Sequence, residues 1–216
     1  MNFAIGIPTY NRMDLLLPSL IKYITTDFVG VDIHIIDNGH QHIKFLETMP
    51  NVKVYEEKEN LGVAASWNKL CKKIYEKHDF ALILNDDIYL GYNTIVVEKA
   101  MAICQSGFSQ SNFSWSVFLM HKEFYDFVGD FDEVFYPAYF EDSDYLYRMK
   151  LLGIRQDIDA LLNPQDVAIS MTYEKAPDMV NAAMIENKER YIKKWGNLPL
   201  LETYTKPYNN EAIRQK

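Results

Sequence analysis

Two adjacent acids, Asp86 and Asp87, close the apolar run in LILNDDIYL (82–90). Neighbouring carboxylates repel, so a chain that ends a buried strand with such a pair needs something to offset the cost. A hydrated turn does this, and so does a bound divalent cation, because hard cations take carboxylate oxygens. Other polar clusters follow other apolar runs. Pro8, Thr9, Tyr10, Asn11 and Arg12 follow FAIGI, Asp37 to Gly39 follow VDIHI, and Asn60, Gly62 and Asn68 lie in ENLGVAASWN. Each taken singly also suits a turn, where Asn, Asp, Gly and Pro concentrate. A further acidic block, Glu141, Asp142 and Asp144 in FEDSDYLYR, falls at a predicted helix start, where acids complement the positive helix end.

The elements that must position these residues follow from hydrophobic periodicity. Short apolar runs at 3–7, 31–37, 52–56 and 80–85 read as buried strands, and 114–120 as a further strand. Amphipathic segments at 13–24, 63–77, 94–105, 122–129, 143–153 and 181–195 read as helices, with a short helical piece at 43–48. Residues 154–158 and 166–171 read as short strands. Strand–helix alternation with nearly continuous apolar strands predicts an α/β fold with a mostly parallel sheet covered on both faces. In such a sheet ligands bind outside the carboxyl ends of the strands, where the polar clusters fall in chain order. The expected organisation is one domain over 1–200, with halves at 1–90 and 91–200, and a polar tail over 201–216.

Composition narrows the function. The chain has 216 residues, a formal charge of -8 and no basic run, which argues against a nucleic-acid partner. The two cysteines, Cys71 and Cys104, form no Cys-x-x-Cys pair and read as free thiols of a reducing compartment. No stretch of about 18 apolar residues occurs, so no membrane span is expected, and the N-terminus lacks a signal-peptide pattern. A soluble, cytoplasmic protein is the expectation.

In order, IPTYNR, IIDNG, ENLGVAASWN, LILNDDIYL, FDEVFYPAYFEDSDYLYRMKLLG and YIKKWG resemble the family-2-type glycosyltransferases of GT-A fold, from about residue 3 to 196. Compact glycosyltransferases of large algal viruses are similar too, which would make the compartment the host cytoplasm. The resemblance implies a GT-A (Rossmann-like) sheet with nucleotide-binding and acceptor-binding lobes. It also implies an inverting transfer from a nucleoside-diphosphate sugar, UDP-linked by preference, to a hydroxyl of a glycan or glycoprotein.

By the same resemblance, Pro8 to Arg12 wrap the base and diphosphate; their backbone N–H groups before a helix suit an anion, and Arg12 adds a charged contact. Asp37 would read the uracil ring, or else close a turn with Gly39. Asn60 and Gly62 would approach base and ribose, with Asn68 orienting within the next helix. Asp86 would lie near the ribose, and Asp87 would hold Mn²⁺ or Mg²⁺ on the diphosphate. Asp142 would be the general base, with Glu141 second, and Arg148 would pair with Asp144. Trp115 would line the sugar pocket, and Tyr136, Tyr139 and Phe140 would stack on an acceptor, although core packing explains such aromatics equally. Lys193, Lys194 and Trp195 would reach the diphosphate or face solvent. Relatives often carry a histidine after the acidic block; here His121 is the last, leaving Asp166, Ser170 or Lys175 as substitutes. Two other readings stay open. A sugar nucleotidyltransferase is disfavoured because IPTYNR is not glycine-rich. A non-catalytic nucleotide- or sugar-binding module would show no donor hydrolysis with Mn²⁺.

Overall fold

The structure, a computed structural model, is described for residues 2–104, 106–111, 114–154, 157–158, 160–164, 166–167 and 177–209. Four strands, β1 (Phe3–Thr9), β2 (Ile33–Asp37), β3 (Val52–Glu56) and β4 (Phe80–Leu84), pair in parallel in the spatial order β3-β2-β1-β4. A two-residue strand, β5 (Ile88–Tyr89), follows the carboxylate pair. The sheet continues through β7 (Ser114–His121), antiparallel to β4, then β6 (Phe108–Ser111) and β8 (Asp157–Ile158), giving seven strands. A separate antiparallel pair joins β5 to β9 (Asp166–Val167). The α/β class and the mostly parallel sheet agree with the sequence. The antiparallel β7 brings strands from both halves of the chain into one sheet.

Strand alternation sorts side chains onto two faces. Ile5, Ile7, Ile33, Ile35, Leu82, Leu84, Val117 and Leu119 point to one core, capped by Leu16 and Leu20 of α1 (Met13–Lys22) and Val97 and Ala100 of α3 (Thr94–Ile103). Ala4, Ile36, Ala81, Ile83, Phe118 and Met120 point to the other. There they meet α2 (Gly62–Ile74) through Ala64, Trp67, Leu70, Cys71 and Ile74, a spacing that lines one helical stripe. Phe124 and Tyr125 of α4 (Lys122–Val128) and Tyr145 and Met149 of α5 (Glu141–Leu151) complete that layer. The last helix, α6 (Pro177–Trp195), builds a small third core from Tyr191 and Trp195 against Phe135 and Tyr147.

Element boundaries differ from expectation where local chemistry is ambiguous. The helix expected at 13–24 runs as α1 through Pro18 to Lys22, and the chain continues past it as a π-helical turn, Tyr23–Asp27. Strands β5 and β6 escape periodicity, since two residues carry no pattern and FSQS has one apolar residue followed by three polar ones although all four are buried. Of the expected strands at 154–158 and 166–171, the described residues carry only Asp157–Ile158 and Asp166–Val167 as strand. Residues 155–156 and 168–171 lie outside them. Among the described residues no helix is long and apolar enough to cross a membrane. Cys71 and Cys104 are free thiols, the first buried.

Candidate active site

The carboxyl ends of β1, β2 and β4 are tied together by their own loops. The backbone N–H of Asn38 donates to Thr9 O at 3.0 Å, and Gln41 Nε2 reaches Thr9 Oγ1 at 3.4 Å. Gln41 Oε1 accepts from the Met13 N–H at 3.1 Å, which fixes the start of α1. Asn11 takes a left-handed φ of 57°, and a Cβ on Gly39 would lie 2.8 Å from its backbone nitrogen. Glycine is therefore required for the first two loops to touch. Asp37, fully buried, spends its carboxylate inside its own loop. Oδ1 accepts from Gly39 N–H at 2.9 Å and Gln41 Nε2 at 3.1 Å, and Oδ2 from Gln41 N–H at 2.8 Å. This is the turn alternative with an added glutamine clamp.

The third loop joins through Asn38, whose amide donates to Ser66 Oγ at 2.9 Å and accepts from Leu61 N–H at 3.1 Å. Asn60 Oδ1 accepts from Gly62 N–H at 2.9 Å and sets the entrance to α2. Gly62 has φ 77°, and a Cβ there would meet Pro137 O at 2.8 Å. The next residue, Val63, donates its N–H to that same carbonyl at 2.7 Å. This contact draws the 136–140 segment, and with it the start of α5, to the carboxyl edge. Replacing Gly62 with alanine is expected to cost about 2 kcal/mol, combining a disfavoured φ with a backbone clash. Chemical denaturation measures the cost, and a change within 0.5 kcal/mol would refute the wedge.

At the end of β4, Asn85 donates its N–H to Ser116 O of β7 at 3.0 Å, and the chain turns through Asp86 and Asp87. Burial pushes Asp86 up to about 6; the negative charge of Asp87 adds to this, while hydrogen bonds from the Thr9 side chain and the Tyr10 backbone oppose it. Its Oδ2 is buried without a hydrogen-bond partner among the described residues. Burial also raises Asp87, against the attraction of Arg12. The Arg12 guanidinium is buried and bidentate on Asp14, with Nε to Oδ1 at 3.0 Å and Nη2 to Oδ2 at 3.2 Å. It also feels the fields of Asp86 and Asp87. A groove of about 390 Å³ runs from the carboxylate pair between Leu15, Pro18 and Lys22 of α1 and the Ile88–Tyr89 strand.

The described residues hold no cluster of three or more His, Cys, Asp or Glu suited to a metal. What they offer is the Asp86–Asp87 pair with one buried, unmatched oxygen. That donor set fits a hard cation whose other ligands come from a diphosphate and water. The side chain of Asp166 and all of Ser170 and Lys175 lie outside the described residues.

The acidic block opens α5 after two bulky residues in the left-handed region, Tyr139 at φ 76° and Phe140 at φ 73°. Such backbone costs about 1–2 kcal/mol per residue and aims the following carboxylates. Glu141 is 6% exposed; burial, then Asp142, raises it well above the carboxylate range, and its Oε2 has no partner among the described residues. Burial raises Asp142 too, opposed by Ser143, whose N–H donates to Oδ1 at 2.6 Å. Asp144 is structural. It accepts from Arg148 Nε at 3.0 Å, as expected, from Trp195 Nε1 at 2.8 Å and from Lys194 Nζ at 2.5 Å.

The loops thus join Thr9, Tyr10, Asn11, Arg12, Asp37, Asn60, Gly62 and Asp86, with Pro8 paired to Ile36 inside β1. Two expected nucleotide-sugar contacts are used elsewhere. Asn68 is buried and commits its amide to Phe131 N–H and O, Glu133 and the Tyr125 hydroxyl, tying α2 to the 131–133 loop. Trp115 packs among Trp67, Phe108, Phe118, Phe131 and Tyr145. The expectation for Lys194 and Trp195 is corrected, since both are buried and turned onto Asp144. Gln41, the clamp between two loops, gave no sequence signal: one amide in a short polar loop has no period.

No protein-family model matches the sequence, and no curated protein matches it. Solved structures match in shape. The mannosyltransferase PcManGT from Pyrobaculum calidifontis, solved with GDP-Man and Mn²⁺, is similar at 15% identity and a TM-score of 0.66 over 88% of this chain and 64% of that one. S. aureus TarS 1-349 in complex with UDP-GlcNAc is similar at 16% identity and a TM-score of 0.59, over 80% and 61%. GalNAc-T7 with UDP, GalNAc and Mn²⁺ gives 11% and 0.66, over 90% and 49%. The chain therefore spans less than two thirds of the length of these structures. In architecture it is an α/β protein of GT-A type, similar in fold to these glycosyltransferases.

Proposed function

We propose that the protein is a metal-dependent glycosyltransferase that moves a sugar from a nucleoside-diphosphate donor, UDP-linked by preference, to a hydroxyl of a glycan or glycoprotein. One observation carries the reading: Asp86 and Asp87 are partly buried at the carboxyl end of β4, with an oxygen left unmatched, in a GT-A fold. The similar structures were solved with GDP-Man, with UDP-GlcNAc or with UDP and GalNAc, two of them with Mn²⁺, which supports a nucleotide-sugar donor and Mn²⁺ or Mg²⁺.

Asp87 would hold the cation and Asp86 the ribose side of the site, with Arg12 balancing charge. When bound, the cation would neutralise charge on the departing diphosphate. The half-exposed Tyr10 stands at the rim, placed to stack on the base. In the transfer, the acceptor oxygen bonds to the anomeric carbon and the bond to the diphosphate oxygen breaks with its electron pair. The acceptor proton passes to the Asp142 carboxylate, and attack opposite the leaving group inverts the anomeric centre. Ser143 hydrogen-bonds to the ionised form of Asp142 and so favours a base over an acid.

The test is a thermal-shift panel of UDP-, GDP- and dTDP-sugars with and without Mn²⁺, followed by assay for released nucleoside diphosphate. A cation-dependent rise in melting temperature and turnover that falls about a hundredfold or more in Asp142→Asn are expected. Release of pyrophosphate would favour nucleotidyl transfer, and binding without turnover a non-catalytic module. If Asp142→Asn turns over normally, the base is Glu141 or another group.

A further inference from the structure

The strained turn before the acidic block is held from outside. Tyr139 and Phe140 stand consecutively in the left-handed region at φ 76° and 73°, and Phe140, the residue before α5, makes no side-chain cap. Bulky residues persist in such backbone only where their surroundings over-determine them. Here three successive carbonyls just upstream are each taken by a donor from another element. Asn187 of α6 donates its Nδ2 to Tyr136 O at 3.2 Å and to Ala138 O at 2.8 Å, while the Val63 N–H of α2 takes Pro137 O between them. Asn187 is fully buried, and its Oδ1 accepts from Arg190 Nη1 at 2.8 Å, which also reaches Val134 O at 2.8 Å. One turn further along α6, the Tyr191 ring lies 5.6 Å from the Phe140 ring. Both sides of the turn therefore rest on one stripe of α6.

A side-chain amide suits this place, since its two N–H groups serve the two carbonyls and its oxygen serves Arg190. An apolar side chain of the same size would leave those carbonyls without their donors. Beyond the turn the backbone enters α5 directly. The Asp144 N–H donates to Phe140 O at 2.9 Å and closes a first helical turn that contains Glu141 and Asp142. With Phe140 fixed, the place of the Asp142 carboxylate follows. We propose that Asn187, braced by Arg190, is a positioning residue that aims Asp142 at the acceptor hydroxyl by holding the 136–140 segment. That Asp142 is the base rests on the glycosyltransferase reading; that Asn187 fixes its carboxylate does not.

Asn187→Leu keeps approximate size and removes both donors, and Arg190→Met removes the brace from a partly exposed position. Leu46→Ala, at a fully buried position on the other face of the sheet, is the control that lowers stability without touching the turn. With the donor selected by the thermal-shift panel, Asn187→Leu should lower kcat about tenfold or more. Donor KM, and the affinity for UDP or GDP in Mn²⁺, should stay within about twofold. A second measurement follows the ¹³C carboxyl resonance of Asp142, assigned by its loss in Asp142→Asn, through a pH titration. Burial raises this carboxyl, so releasing the turn should let it drop toward its ordinary value in Asn187→Leu and by a smaller step in Arg190→Met. Leu46→Ala should leave it in place. A titration unmoved in Asn187→Leu, or moved as far in Leu46→Ala, overturns the positioning role and leaves the proposed function standing. A loss of nucleotide affinity equal to the loss in kcat makes the role merely structural and also overturns it. A moved titration with normal kcat removes Asp142 from the chemistry, and the positioning role falls with it. If the native chain turns over no donor, the glycosyltransferase reading fails, and the titration alone decides whether Asn187 holds Asp142. Should Asn187→Leu not fold, the same criteria apply to Arg190→Met.

Discussion

Replacing Asp87 with asparagine is expected to lower cation-dependent donor binding and sugar transfer by about a hundredfold or more, while leaving the fold as stable as before or more so. The two halves of this expectation share one cause. Burial raises both Asp86 and Asp87, and Asp87 adds its charge to the penalty on Asp86, so the ionised pair is costly by itself and is relieved by a positive charge. Neutralising one member removes the repulsion along with the ligand, the usual exchange between stability and function. Donor-induced melting shifts with and without Mn²⁺ read the first effect and urea denaturation the second. Undiminished Mn²⁺ dependence in the variant would place the cation elsewhere.

The same pair predicts a pH dependence. The folded value of Asp86, about 6, lies above its ordinary value of 3.8, so the native chain holds this proton more tightly than the unfolded one. The stabilisation this confers is complete below about pH 4 and is lost as pH rises through about 6. Cation affinity should run the other way, rising across that window as Asp86 ionises, and Asp86→Asn should flatten both curves.

The second large effect is structural. Lys194→Ala should cost about 3–5 kcal/mol of folding stability, because it strips a buried ammonium from two carboxylates. Lys194 is 5% exposed and reaches Asp132 at 2.6 Å and Asp144 at 2.5 Å. Burial works against the Asp132 charge, but Lys194 outweighs it and holds that carboxyl below its usual range. Asp144 would keep Arg148 and the Trp195 indole, whereas Asp132 would lose its cation. Lys193→Ala, one position away on the exposed side of α6, should change stability by no more than about 0.5 kcal/mol. Equal losses from both lysines would show that the network contributes little.

Much of this protein can be read before folding is considered. Short segments at 3–7, 52–56 and 80–85 predict strands, because side chains that face a covered side of a sheet must be apolar, and the structure carries strands there at Phe3–Thr9, Val52–Glu56 and Phe80–Leu84. The polar residues after those strands predict a ligand edge because strand ends in a parallel sheet share one side. Periodicity carries no information about partners, however. Lys194 and Trp195 occupy a helix end that suits a diphosphate contact as well as a buried ion network, and the packing of α6 against the 132–140 segment selects the network. Asn68 sits in a helix whose start faces the site, yet a few residues of helical rotation turn its amide onto Phe131 and Glu133.

Pattern and local propensity therefore determined the α/β class, the strand order in time and the acids that could meet a cation, since all of these depend on residues close in sequence. Which polar atoms are satisfied is a property of neighbours distant in the chain. Only the tertiary structure could show that Asp37 is spent on Gly39 and Gln41, that Gly62 seats Pro137, and that Asn68 is turned onto Phe131 and Glu133. A hydrogen bond is decided by positions within a few tenths of an ångström, and those are set by the packing of two faces of one sheet.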